Sequence, residues 1–236
     1  MNLTRSALVL AVFLLSGCTA TAVAAPVVTS PRAHEMRPIR VAAVGDSHTA
    51  GVLTGQKSVA LNPTNPEPTS WLHYVLNECD VWAGGWAVGG ASVEDMIGGV
   101  TAPIDADVLV IMAGWNNLGG ENSSGVSFQP ILDSIDRIAA TAGVRKVILS
   151  AVPPYVYDPA RGVAYNAALK VHAAEQGWNW VDPWATIRTS DTGEYLPGMT
   201  IDTYHTTPQG ASIGGAVIGR EIASVERRDY QTTGCR

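Results

Sequence analysis

The chain has little of what a membrane-spanning, nucleic-acid-binding or metal-dependent protein needs. Its apolar run near the start, "ALVLAVFLL" at 7–15, is too short to cross a bilayer, which takes about 20 such residues. Bases are scarce: 15 Lys and Arg stand against 21 Asp and Glu, a net charge of −6, which argues against the basic surface that holds nucleic acid. No H-E-x-x-H, paired C-x-x-C or P-loop pattern occurs, so no metal, nucleotide or other cofactor is expected. There is no internal repeat, and cysteine is limited to Cys18, Cys79 and Cys235.

What is present begins with an address. Arg5, the apolar run and the small residues after it read as an export signal over 1–17. "LSGC" at 15–18 resembles the lipobox of bacterial lipoproteins, which implies cleavage before Cys18 and lipidation of that thiol. A second small-residue site, "TAVAAP" at 21–26, suits ordinary signal peptidase and would release a soluble protein. The lipoprotein is the favoured form, an exported chain held at the cell envelope and touching membrane only through its anchor. Residues 18–37, rich in Ala, Thr and Pro without periodicity, read as a tether. The folded domain is expected over 38–236. The 46% apolar composition of the whole chain suits one sizeable core. Cys79 and Cys235 are a candidate disulfide for an oxidising compartment, the alternative being two unpaired thiols.

Within the domain, short apolar runs alternate with helical patterns. "IRVAAV" (39–44), "VWAGGWAV" (81–88), "DVLVIMA" (107–113), "KVILSAV" (146–152) and "WNWVD" (178–182) are the strand candidates. Between them Trp71, Leu72, Val75 and Leu76 recur at helical spacing, and "SVED" (92–95) has the form of a capping box. Ser127 opens a helix with the stripe Ile131, Leu132, Ile135 and Ile138 that stops at Gly143, and Asp158 opens one that stops at Gly177. A closing helix spans 207–228, its glycines allowing close packing. This alternation predicts an α/β domain with a parallel sheet, in which functional residues gather beyond the carboxyl ends of the strands.

"GDS" at 45–47 lies in that zone, directly after the first strand. A serine in a glycine-rich turn is usually a turn or cap residue; to be a nucleophile it needs a base, and the base needs an orienting acid. Of the five histidines, His34 lies in the tether, His73 and His172 sit in helical patterns, and His48 adjoins Ser47 where local geometry makes it a poor base. His205 remains, three residues after Asp202 in "DTYH". Acyl transfer also needs donors for the oxyanion. Gly90, in "VGGAS" after the second strand, offers an unobstructed N–H, and Asn116 and Asn117, in "GWNN" after the third, offer amides.

In these four blocks, taken in order, the chain resembles the SGNH hydrolases, also called GDSL-type esterases. The resemblance covers nearly everything after the tether. It implies a three-layer α/β/α sandwich, flavodoxin-like, around a five-stranded parallel sheet. It implies Ser47 as nucleophile, His205 as general base and acid, and Asp202 orienting His205. The oxyanion would meet the backbone N–H groups of Ser47 and Gly90 and the side-chain amide of Asn116. Two positions depart from the family pattern: Asn117 stands where an Asp is frequent, and Gly85 where an Asn is frequent. The α/β-hydrolase elbow G-x-S-x-G is not matched, since "GDSHT" ends in Thr49.

Trp115 and Tyr204, and with them Asn117, are candidates to line the substrate pocket. Packing is the competing role for the two aromatic residues. The expected function is a secreted or membrane-tethered serine esterase for short acyl or O-acetyl esters, on envelope or extracellular glycans. The alternatives are a lysophospholipase or thioesterase, and a non-catalytic glycan-binding protein on the same fold.

Overall fold

A computed structural model describes residues 37–51, 60–119 and 127–226. The expected signal at 1–17, Cys18, all but the last residue of the tether, and Cys235 lie outside the described residues. Cys79 is disulfide-bonded.

The first strand, β1 (Ile39–Gly45), is apolar on both faces because it runs through the middle of the sheet, and Val41 to Val44 are wholly buried. It is flanked by β2 (Asp80–Ala87) and β3 (Val108–Met112), followed by β4 (Val147–Ser150) and β5 (Asn179–Val181). All pairings are parallel and the order is β2-β1-β3-β4-β5. All five strand candidates are therefore strands of one sheet, and its order is the flavodoxin-like one. The chain first moves from β1 to one edge and then returns past it, so strand order reverses at β1 and β3.

The helices cover both faces. After the four-residue α1 (Ser47–Ala50) come α2 (Val93–Gly99), α3 (Gln129–Ala142), α4 (Pro159–Gln176) and α5 (Pro208–Val225). Helix α2 packs on α3, and buried His172 of α4 bonds Asp136 of α3 at 2.7 Å, so these three share a layer. Helix α5 forms the other layer with the turn at Trp71–Tyr74. In α5 the small residues decide how close the approach is: a Cβ on Gly215 would lie 2.6 Å from the Trp71 carbonyl.

Local signals account for the ends. Ser92 and Asp95 form the capping box of α2, Asp158 caps α4, Thr207 caps α5, and Gly143 and Gly177 close α3 and α4 in the left-handed conformation. Two details differ from the sequence pattern. Ser127 accepts from Gln129 N at 3.1 Å, but the residue at the cap of α3 is Phe128, because Pro130 suits the first turn. The Trp71 segment is one 3₁₀ turn rather than an α-helix. Asn77 ends it by accepting from both Cys79 N and Asp80 N.

Candidate active site

The site lies where strand order reverses, beyond the carboxyl ends of β1, β2 and β3. Directly after β1, Asp46 caps α1 by accepting from His48 N at 3.0 Å, which presents Ser47 as the first helical residue. The N–H of that position is one of the orphan donors of a helix start. A second set of bonds holds α1 in place: Trp71 Nε1 donates to Thr49 Oγ1 at 3.1 Å and Ser70 Oγ donates to Thr49 O at 2.6 Å.

From 158 positions further on, His205 reaches back so that its Nε2 lies 3.0 Å from Ser47 Oγ. Its Nδ1 lies 2.7 Å from Asp202 Oδ2. The other oxygen of Asp202 accepts from the backbone N–H groups of Tyr204 and His205, at 3.0 and 2.7 Å. Burial alone pushes the Asp202 carboxyl up, but the imidazole and these N–H groups outweigh it and hold the group below its ordinary value. The loop carries strain: Thr203, β-branched, sits at φ 74°, in the left-handed region. The carbonyl of Tyr204 accepts from Tyr195 Oη at 3.0 Å, fixing the loop from behind.

Gly90 sits at φ 80°, and a Cβ there would meet nothing within 4 Å, so this glycine is demanded by backbone conformation rather than by crowding. Asn116 Nδ2 donates to the carbonyl of Ala91 at 2.9 Å, which ties the loop after β3 to the loop after β2. Its separation from Asp46 Oδ2, 3.4 Å, is too long for a strong bond. The structure thus brings together Ser47, Asp202 and His205, and joins Asn116 to the Gly90 loop.

Asn117, a candidate to line the substrate pocket, has its amide hydrogen-bonded to the start of α2. Its Oδ1 accepts from Val93 N at 2.9 Å and its Nδ2 donates to Glu94 at 2.8 Å, so the amide is committed to bracing the start of α2. The second departure from the family pattern also has a steric cause. Gly85 pairs with Ala43 in the sheet at φ 122°, and a Cβ would lie 2.0 Å from the Ala43 carbonyl. Trp115 is 8% exposed and donates Nε1 to the Pro154 carbonyl at 3.2 Å, while its ring meets Tyr204 edge-on at 6.1 Å.

Two titratable groups flank Ser47, and the sequence pattern gives neither of them a role in the site. Asp46 is wholly buried, which pushes its carboxyl up to about 7. Burial, helped by the nearby His205, lowers the His48 imidazole to about 3, and its Nδ1 has no hydrogen-bond partner. His48 is therefore neutral, in line with its poor prospects as a base. Their signal was position alone, on either side of a serine at a strand end. Among the described residues, no group of three or more His, Cys, Asp or Glu side chains could hold a metal ion.

Residues 43–213 match the GDSL-like Lipase/Acylhydrolase family, a span that includes every residue of this cluster. The chain belongs to that family. Solved structures agree on the acylhydrolase fold. A GDSL-like lipase from Bacteroides thetaiotaomicron is 19% identical, with 80% of this chain and 91% of that one covered and a TM-score of 0.58. A member of the lipolytic G-D-S-L family from Veillonella parvula is 18% identical over 75% and 94%, with a TM-score of 0.56. A carbohydrate acetylesterase from Sinorhizobium meliloti is 13% identical over 79% and 99%, also with a TM-score of 0.56. No curated protein matches the chain in sequence.

Proposed function

We propose that this acylhydrolase is a serine esterase that cleaves short acyl or O-acetyl esters of glycans in two steps. The observation that carries the reading is the 3.0 Å approach of His205 Nε2 to Ser47 Oγ, with Asp202 on the far side of the ring. A hydroxyl is a weak nucleophile until a fixed imidazole can take its proton, and this geometry supplies that imidazole. Ser47 Oγ attacks the acyl carbon while its proton passes to His205 Nε2. Asp202 holds the tautomer and offsets the positive charge that develops on the ring. The carbonyl oxygen becomes an oxyanion, received by the N–H groups of Ser47 and Gly90 and by Asn116. The Asn116 N–H that lies only loosely against Asp46 is the one free to turn toward it. Collapse breaks the bond to the alcohol oxygen, which takes the proton from His205. Water then repeats the sequence on the acyl-enzyme and releases the acid.

The glycan part of the reading draws on the expected envelope address, with Cys18 lipidated or the chain released at 21–26. It also has a parallel in the carbohydrate acetylesterase of like fold.

A fluorophosphonate probe tests the nucleophile. It should form one adduct, on Ser47, and none on Ser47→Ala. With p-nitrophenyl acetate, Ser47→Ala and His205→Ala should each lower kcat by at least about 10³-fold, and Asp202→Ala by less, since an imperfectly oriented imidazole still acts. Undiminished turnover by Ser47→Ala would overturn the assignment.

A further inference from the structure

Beyond His205 the site continues into a run of aromatic rings to which the chemistry above gives no task. Tyr204 lies 6.4 Å from His205, ring centre to ring centre, and Tyr157 lies 5.6 Å further on, tilted by 40°. Tyr157 Oη donates to Tyr204 Oη at 3.3 Å. Buried Trp115 and Tyr155 back the pair, with Trp115 edge-on to Tyr204 and Tyr155 edge-on to Tyr157 at 5.6 Å. Tyr157 is 42% exposed and its neighbour Val156 is 36% exposed, so the run begins in the core and ends open to solvent.

The direction of the reaction tells which part of the substrate meets these rings. The leaving alcohol takes its proton from His205 Nε2, so its oxygen must come within hydrogen-bond reach of that nitrogen. The rings beside His205 therefore face the alcohol rather than the acyl group. We infer that Tyr157 and Tyr204 form a leaving-group subsite for the pyranose ring of an acylated sugar. This rests on the esterase reading and deepens it.

Three properties favour a sugar. The pair joins apolar ring faces to hydroxyl edges, matching the C–H faces and hydroxyl rim of a pyranose. It is preorganised, because Tyr204 is bonded at both its N–H and its carbonyl and Tyr157 is bonded to it, so little side-chain freedom is lost on binding. Among the described residues, the side chains in contact with His205 are Ser47, His48, Asp202 and Tyr204, and none of them carries a positive charge to attract the phosphate of a lysophospholipid headgroup.

The test compares two acetyl esters, methyl 6-O-acetyl-glucopyranoside and ethyl acetate, whose alcohol is too short to reach Tyr157. In Tyr157→Ala the ratio of their kcat/KM values, sugar over ethyl, should fall about tenfold, mainly through KM, and Tyr157→Trp should restore it. A ratio that does not move overturns the subsite. So does a protein that turns over a monoacyl phospholipid faster than the sugar ester and loses that preference in Tyr157→Ala. Binding separates the two layers of the proposal. The acetylated glucoside should bind Ser47→Ala protein, followed by tryptophan fluorescence, and bind about tenfold more weakly to the Ser47→Ala, Tyr157→Ala double variant. Such binding without any fluorophosphonate adduct on the native protein would keep the subsite and remove the esterase. An adduct on Ser47 without sugar binding would do the reverse.

Discussion

At the scale of residues, the two side chains flanking Ser47 are tuned in opposite senses. Asp46, with an ordinary value of 3.8, is raised to about 7 by burial, so the folded protein holds its proton while the unfolded chain has lost it. Its contribution to stability is fully present below the unfolded value and is lost as pH rises from about 4 to about 7. His48 is lowered from 6.5 to about 3, so its contribution is present above the unfolded value and is lost as pH falls from about 6.5 to about 3. Over the shared window the slopes oppose each other. Removing one should expose the other. Stability of Asp46→Asn should decline on acidification below pH 6.5. That of His48→Leu should decline as pH is raised from 4 to 7. Each slope has a ceiling of about 1.4 kcal/mol per pH unit. Urea unfolding at half-unit pH steps checks both signs, and parallel curves for the wild type and both variants would contradict the argument. Ser47, His205, Asp202 and Gly90 could be singled out from the chain because each block has its own spelling. The neutrality of His48 could not, since it is set by Trp115 and His205 packing near it from distant segments.

At the scale of elements, the loops after the strands are braced to their neighbours by single side chains. Asn117 ties the loop after β3 to α2 by accepting from Val93 and donating to Glu94, a pairing that an Asp could make only in part. Asn117→Asp would set two carboxylates where an amide now donates. It should lower the Tm, with a loss of up to about 1 kcal/mol that shrinks in 1 M salt. Glu94→Gln in the same chain should restore it, because the second amide can donate to the new carboxylate. Failure of that rescue would mean that Asn117 acts through packing alone. Most helix ends were readable from the sequence, since Ser92, Asp158, Gly143 and Gly177 act through neighbours within a few residues. The Trp71 turn was not, because its apolar spacing is equally served by one 3₁₀ turn and by a longer helix. What settles it is the Asn77 side chain capping the return into β2.

At the scale of the whole molecule, the expected export address has a direct consequence. The full chain expressed in a bacterial host should partition into detergent with the membrane fraction. Cys18→Ser should move it to the aqueous phase and leave the proposed esterase activity unchanged. A wild-type chain found entirely soluble would favour cleavage at 21–26 instead. The order of strands and helices, and the gathering of four blocks at strand ends, followed from the sequence by itself. Buried strands must be continuously apolar, and helices must open and close on recognisable residues. The distance between Ser47 and His205 is different in kind. It depends on α5 lying close against the Trp71 turn and on Tyr195 holding the 202–205 loop from behind. The same holds for Asn117 turning to α2 and for Tyr157 meeting Tyr204. Such contacts join residues tens of positions apart, and only packing in three dimensions decides which of the side chains a sequence offers come to share one cleft.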